Sequence, residues 1–177
     1  MPTSDPTGIA PVIAEVMKLR PTSILDVGVG MGKWGLLFRE YLEGWGHHRY
    51  SQQQWKLTID GIEIYQPYIQ PWHQQIYNSL FLGDIRTFDL KKKYDLIYIG
   101  DVIEHMPKEE GHKLLRTLRA KWIIVSTPNV PTQMKRGKPN KHQDHLCRWG
   151  LADFKPYRHK VLRGAKKERL LVVRIDK

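Results

Sequence analysis

The sequence has 177 residues and a single cysteine, Cys147. One thiol cannot close an intramolecular disulfide or build a cysteine-rich zinc site. Packing alone must hold the core, and a chain of this length can bury one. There is no run of about 18 apolar residues, which excludes a transmembrane helix and a membrane partner of that kind. The start, Met1-Pro2-Thr3-Ser4-Asp5-Pro6, lacks the basic stretch and apolar run of a signal peptide. With so little cysteine, the expected compartment is a reducing cytoplasm. Internal repeats and low-complexity segments are also missing. Acidic residues are scarce, 18 against 29 basic ones, for a formal charge of +11. The scarcity is local. Residues 1–132 carry 15 basic and 14 acidic side chains, whereas residues 133–177 carry 14 and 4. The basic 133–177 region suits a nucleic acid or another polyanion, although a lysine-rich solvated surface has the same composition.

What is present alternates between two periods. Residues 8–19 place Ile9, Val12, Ile13, Val16 and Leu19 at helical spacing. Ser23 to Val27 is a short apolar run that ends in glycines, the pattern of a buried strand. Helical spacing returns from Lys33 to Glu43, with Trp34, Leu37, Phe38, Tyr41 and Leu42. Leu57 to Ile62 reads as a second strand. Tyr65 to Tyr77 reads as a helix kinked or split by Pro67 and Pro71. Asn78 to Gly83 and Tyr94 to Gly100 are further strands. Lys108 to Arg119 is a helix with Pro107 at its start, and Trp122 to Ser126 is a fifth strand. Strand, helix, strand repeated four times predicts a parallel sheet with helices on both faces. Tyr157 to Leu162 and Arg169 to Ile175 are two more strand-like runs. The residues between them, Arg163-Gly164-Ala165-Lys166-Lys167, are too few for a crossover helix, so residues 156–176 should form an antiparallel hairpin. The whole, residues 1–177, reads as one α/β domain.

Two stretches lack regular pattern. Ligands of open parallel sheets bind beyond the carboxyl ends of the strands. Residues 44–56 lead into the amino end of a strand and should lie on the far side, as packing or a subunit contact. Residues 128–149 leave the carboxyl end of the fifth strand and should sit over the ligand on the acceptor side. They include the basic run Lys135 to Lys141.

The chemistry-bearing motif is Asp26-Val27-Gly28-Val29-Gly30-Met31-Gly32, a strand end, a glycine-rich turn and the start of a helix. Gly28 and Gly30 permit positive φ and close approach of a ligand to the backbone. The helix beginning near Gly32 directs N–H groups towards it. An acid just before the first glycine suits an amine-bearing or cationic ligand better than a pyrophosphate.

At these residues the sequence resembles the class I S-adenosylmethionine (SAM)-dependent methyltransferases. Asp26 to Gly32 is similar to the family's first motif, which contacts the methionine part of the cofactor. Asp60-Gly61-Ile62-Glu63 resembles the second strand, whose terminal acid grips the ribose hydroxyls; a carboxylate accepting from two neighbouring hydroxyls is sound chemistry for Glu63. Leu82-Gly83-Asp84-Ile85 resembles the third motif, with Asp84 near the adenine amine. Tyr94 to His105 resembles the fourth, bringing Asp101 and Val102 to the cofactor. The resemblance implies a Rossmann-like, doubly wound, mostly parallel seven-stranded sheet with an antiparallel C-terminal hairpin. The implied cofactor set is Asp26, Gly28, Gly30, Gly32, Glu63, Gly83, Asp84, Ile85, Asp101 and Val102.

The acceptor side stays open. Asp101, Glu104 and His105 come together if the turn after the fourth strand is helical, and His142-Gln143-Asp144-His145 follows the fifth strand. Carboxylates and imidazoles from neighbouring strand ends could hold a divalent ion through Asp101, Glu104, His105 and His145. Locally this resembles the metal-dependent methyltransferases of small-RNA 3′ ends, through Glu104-His105, Ser126-Thr127-Pro128-Asn129 and Asp144-His145 to Trp149. Asp101 stands where that family has a Glu. A strand-end Glu-His is equally at home in metal-free enzymes with small acceptors. His105 and His145 are the candidate catalytic residues. Three readings follow: methylation of a hydroxyl or amine on a small molecule, metal-assisted methylation of an RNA terminus, or a SAM-binding partner subunit without catalysis. An oligomer is compatible with all three.

Overall fold

The structure is a computed structural model that describes residues 5–129, 140–164 and 169–177, apart from the side chain of Lys141. Ala165, Lys166 and Lys167, expected between the hairpin strands, and Lys135, Arg136 and Lys138 of the basic run lie outside that set.

Seven strands form one sheet: β1 (Ser23–Val27), β2 (Thr58–Glu63), β3 (Ser79–Leu82), β4 (Tyr94–Gly100), β5 (Ala120–Pro128), β6 (His159–Arg163) and β7 (Leu170–Asp176). Their order is β3-β2-β1-β4-β5-β7-β6. The first five run parallel; β7 inserts antiparallel beside β5 and pairs antiparallel with β6. The expected seven-stranded sheet with its terminal hairpin is therefore present.

Side chains along the central strands alternate between two hydrophobic layers, as the period of two requires. Ile24, Leu96, Tyr98, Ile124 and Val172 pack under α1 (Ile9–Leu19) and α2 (Lys33–Arg39). Leu25, Val27, Ile97, Ile99, Ile123 and Val173 pack under α3 (Lys108–Thr117) with Trp149 and Phe154. Each fully buried aliphatic side chain contributes about 1.5–3 kcal/mol.

The helices depart from the sequence reading in three places, each for a local reason. The 65–77 segment is not a helix but two 3₁₀ turns, Gln66–Tyr68 and Pro71–Gln75. Pro67 and Pro71 each sit at the start of a turn, where a missing N–H is harmless, and neither lets the previous turn continue. The helix expected to reach Glu43 ends at Arg39 and widens into a π turn, Glu40–Gly44. There buried Glu43 turns inward and accepts from the N–H groups of Lys56 (2.8 Å) and Leu57 (2.6 Å). Only α2 and α3 act as crossover helices among the described residues, so the strand–helix alternation is incomplete: β2 reaches β3 through the 3₁₀ turns, and β3 reaches β4 without a helix. No helix among the described residues is long and apolar enough to cross a membrane.

Candidate active site

A cavity of about 410 Å³ opens at the carboxyl ends of the parallel strands. That size is typical of small-ligand pockets. Its cofactor-side wall is the turn after β1. Gly28, Gly30 and Gly32 have φ of 78°, 54° and 83°, which L side chains adopt only with strain. Space matters as well as conformation: a Cβ on Gly28 would stand 2.3 Å from Val102 Cγ2. The Gly28 N–H donates to the Ile62 carbonyl at 2.9 Å, which pins the turn to the end of β2.

Glu63, at the tip of β2, is 5% exposed and lines the cavity. One of its oxygens accepts from the Gly30 N–H and the other from the Tyr65 N–H, both at 2.9 Å. A carboxylate has about four lone-pair sites, so each oxygen can still accept from a ligand hydroxyl. Asp84 follows β3 and is gripped by Arg86, whose Nε lies 3.0 Å from both carboxylate oxygens. Arg86 also reaches Glu110 at 2.5 Å. The Arg86 hydrogen bonds hold the Asp84 carboxyl below its ordinary pKa.

Gly28, Gly30, Glu63, Gly83, Asp84, Ile85, Asp101 and Val102 line the cavity, and two of the expected cofactor residues do not: Asp26 and Gly32. Asp26 shares the α1–α2 face with Ile24 because side chains alternate along β1. It is buried below the cavity floor, where the Tyr77 hydroxyl donates to it at 2.6 Å. Burial pushes its carboxyl up to about 7, against the pull of Tyr77 and the Gly35 backbone. Gly32 instead gives room to His73, whose ring would stand 3.0 Å from an added Cβ. Asp26 is thus a positioning residue under the glycine turn, linking β1 to α2 and Tyr77.

The acceptor side is assembled from distant segments. Asp101 follows β4 with φ 51°, unusual for a non-glycine residue, and its N–H donates to the Ser126 carbonyl at 2.9 Å. The 3₁₀ turn Ile103–His105 comes next. The segment 144–149 is laced onto this turn. The Leu146 and Cys147 N–H groups donate to the Glu104 carbonyl at 2.8 and 3.2 Å. The buried Trp149 indole donates to the Ile103 carbonyl at 3.2 Å. Gly111 in α3 clears space for that indole, since an added Cβ would stand 2.5 Å from it. Lacing brings the rings of His105 and His145 to a centroid separation of 4.8 Å. His105 Nδ1 lies 3.0 Å from the Asp144 carbonyl. A carbonyl only accepts, so Nδ1 carries a proton and Nε2 is the basic nitrogen of the neutral ring.

Glu104 is 2% exposed and lines the same cavity. Thr127, itself buried, donates to one carboxylate oxygen at 3.0 Å, and the other oxygen accepts no hydrogen bond among the described residues. Burial, reinforced by the Asp101 charge, pushes the Glu104 carboxyl up to about 8. Ligand atoms of Glu104, His105 and His145 all lie within 4.8 Å of one another. Asp101 is outside this compact group. Asp101, expected with them, lines the same cavity.

Asn140, His142 and Gln143, from the loop expected over the ligand, line the cavity, and so do Lys33, Tyr68, Arg86 and Arg169, which carried no signal in the sequence. The Tyr68 hydroxyl takes hydrogen bonds from Asn140 at 3.3 Å and from Gln143, and so ties the 3₁₀ turn to the acceptor-side loop. Only the fold joins these residues. Trp34, next to the glycine turn, both lines the cavity and packs on Tyr98 at 4.5 Å.

The sheet order, the glycine turn after β1 and the acid at the end of β2 together define the fold of class I SAM-dependent methyltransferases. No protein-family model matches the chain, and no curated protein shows significant sequence similarity to it. Solved structures do resemble it. The methyltransferase domain of the bacterial protein CtHen1 is 17% identical with a TM-score of 0.63, covering 96% of each chain. The magnesium protoporphyrin IX methyltransferase ChlM from Synechocystis PCC 6803, solved with S-adenosylhomocysteine (SAH), is 15% identical with a TM-score of 0.64, over 97% of this chain and 82% of that one. The small RNA methyltransferase HEN1 is 18% identical with a TM-score of 0.61, over 97% of this chain and 25% of that one. At these identities the likeness is one of fold.

Proposed function

We propose that this chain is a SAM-dependent methyltransferase whose acceptor presents a hydroxyl to Glu104, His105 and His145. The observation that carries the reading is one continuous cavity joining two parts. On one side are the glycine turn and Glu63, and on the other the Glu104–His105–His145 group. The cofactor side fits the ligand chemically: a carboxylate fixed by two backbone N–H groups faces a cavity whose glycine wall has no room for side chains. When bound, SAM supplies an electrophilic methyl group on a sulfonium. Glu63 accepts from ribose hydroxyls, and the Gly28–Gly30 backbone lets the ligand lie against the turn. Asp101 and Val102 separate this cradle from the acceptor side.

Displacement at a methyl group needs alignment first and proton removal second. An acceptor hydroxyl must lose its proton as the new bond forms. His105 and His145 are placed to take it, and His105 is held in one tautomer by the Asp144 carbonyl. Glu104, as a neutral acid or a carboxylate, orients the acceptor through the oxygen that accepts no hydrogen bond among the described residues.

A second reading is favoured by the compactness of the Glu104–His105–His145 group. One oxygen and two nitrogen donors suit a divalent transition metal, and the carbonyl behind His105 is the outer partner such a ligand usually has. A metal there would hold vicinal hydroxyls, as at the 3′ end of an RNA. The basic 133–177 region agrees with this acceptor.

The test is methyl transfer from tritiated SAM to two pools, small hydroxyl-bearing metabolites and short RNAs with free or phosphorylated 3′ ends, with and without a chelator. Chelator-resistant labelling of a small acceptor supports the first reading. Labelling of RNA that a chelator abolishes and a 3′-phosphate blocks supports the second. No labelling in either pool, with SAM bound, contradicts both and leaves the partner-subunit reading.

A further inference from the structure

We propose a second binding site, for single-stranded nucleic acid, at the opposite end of the sheet. It does not depend on the methyl-transfer reading. A separate cavity of about 420 Å³ lies where α1 feeds into the amino end of β1. The strands between the two cavities are roughly 20 Å long at about 3.3 Å per residue. Its wall includes Arg20, Tyr41, Trp45, His47, Arg49 and Lys56.

Charge is the first argument. No carboxylate lines this cavity among the described residues. Arg49 is held by Glu43, and Glu43 is buried and occupied by the Lys56 and Leu57 N–H groups. Glu40 is the other acidic side chain of this turn, and it does not line the cavity. The side chains of Arg20 and Lys56 are exposed and make no ion pair or hydrogen bond among the described residues. Two uncompensated cations therefore face one hollow.

The second argument is the aromatic face. Trp45 is 65% exposed, although burying its indole would be favourable. It stands beside Tyr41 at 6.3 Å between centroids. Tyr41 is half-buried against the core, so the exposed indole is the stacking surface: a base stacks on an exposed ring while its phosphates meet neighbouring cations in a single-strand platform.

The third argument is where the backbone departs from ordinary geometry. Three non-glycine residues have positive φ among those described: Arg20, His48 and Asp101. Such conformations cost of order 1–3 kcal/mol and gather at functional sites. Asp101 lines the first cavity. Arg20 lines the second as the left-handed C-cap that ends α1, and His48, in sequence, sits between two of its lining residues. The π turn Glu40–Gly44, where the Trp45 N–H donates to the Glu40 carbonyl at 2.7 Å, delivers the indole outward. π turns also concentrate at functional sites.

The experiment is fluorescence anisotropy with 5′-fluorescein-labelled 12-mers of rU and dT, titrated with the full chain at two salt concentrations. The variants are Trp45→Ala and the double change Arg20→Glu with Lys56→Glu. Circular dichroism and SAM calorimetry serve as controls for folding and for the other cavity. Trp45→Ala should bind about tenfold or more weakly, from the loss of one stacked base. The double variant should lose binding and, where still measurable, show a salt slope smaller by about 0.7 per lost phosphate contact. SAM binding should be unchanged in both. Wild-type affinity for the 12-mers in folded variants would overturn the proposal. So would a dimer that Trp45→Ala converts to a monomer, which would make this face a subunit contact.

Discussion

The two sides of the main cavity are built differently. The cofactor side is local: one glycine turn and three strand tips, each contributing residues that are neighbours in the chain. Its carboxylates are satisfied from close by: Glu63 by the Gly30 and Tyr65 N–H groups and Asp84 by Arg86. The acceptor side is composite: the end of β4, the 3₁₀ turn after it, the end of β5 and the segment 140–149. It holds a buried carboxyl, Glu104, with one oxygen that accepts no hydrogen bond among the described residues. A preformed cradle for a common ligand sits against a strained, incompletely satisfied surface for a specific one. Protein stability and SAM affinity should therefore depend on different residues from turnover.

The largest expected effect breaks the cofactor side alone. Glu63→Ala removes the acceptor of two backbone N–H groups and the carboxylate proposed to accept from the ribose hydroxyls. At about 1.5–3 kcal/mol per charge-assisted bond, SAM should bind at least about 100-fold more weakly by calorimetry. Gly28→Val should do as much and lower the melting temperature too, because its Cβ meets Val102 and its φ is positive.

The converse breaks the acceptor side. His145→Ala and His105→Ala should each lower the methyl-transfer rate by about 100-fold or more, while SAM affinity shifts less than about threefold. Full activity in both variants would remove the imidazoles from the reaction.

The third effect is on stability against pH. Asp26 and Glu104 have carboxyls raised to about 7 and about 8 when folded, from ordinary values of 3.8 and 4.5. The folded state then holds more protons than the unfolded state between about pH 4 and 8. Stability contributed by these protonated groups is full below pH 4 and is lost as the pH rises through 7 and 8. Asp26→Asn and Glu104→Gln should each flatten that fall in denaturant melts, by at most about 1.4 kcal/mol per pH unit. A slope identical to wild type in both would contradict the burial argument.

The smallest effect sharpens the boundary. Arg86 is partly exposed, and surface pairs contribute about 0–1 kcal/mol. Arg86→Ala should change SAM affinity by less than about fivefold in calorimetry.

Much of the cofactor side was legible in the sequence, because a strand end followed by glycines is contiguous and the sheet period announces itself. Asp26 was expected to hold the cofactor, and it does not line the cavity. Period-two alternation, applied to the motif itself, sets it on the face of Ile24 rather than that of Val27. Asp101 was read as a metal ligand by spacing along a helix. The chain instead takes a left-handed residue there and a short 3₁₀ turn, which changes which side chains converge. The pairing of His105 with His145 rested on the expected neighbourhood of two strand ends and on resemblance. What creates it is the lacing of Leu146, Cys147 and Trp149 onto the Glu104 turn, a long-range contact that no local pattern encodes. The π turn and exposed Trp45 were unreadable for the same reason, since Glu43 turns inward only because the β2 entry offers two N–H groups.

The central claim is that the cavity at the carboxyl ends of the strands is a SAM site anchored by Glu63. Calorimetric titration of SAM into the full chain and into Glu63→Ala tests it most directly. The account predicts saturable one-to-one binding in the first and a loss of at least about 100-fold in the second. No binding to the wild-type chain, or equal binding to both, would contradict it.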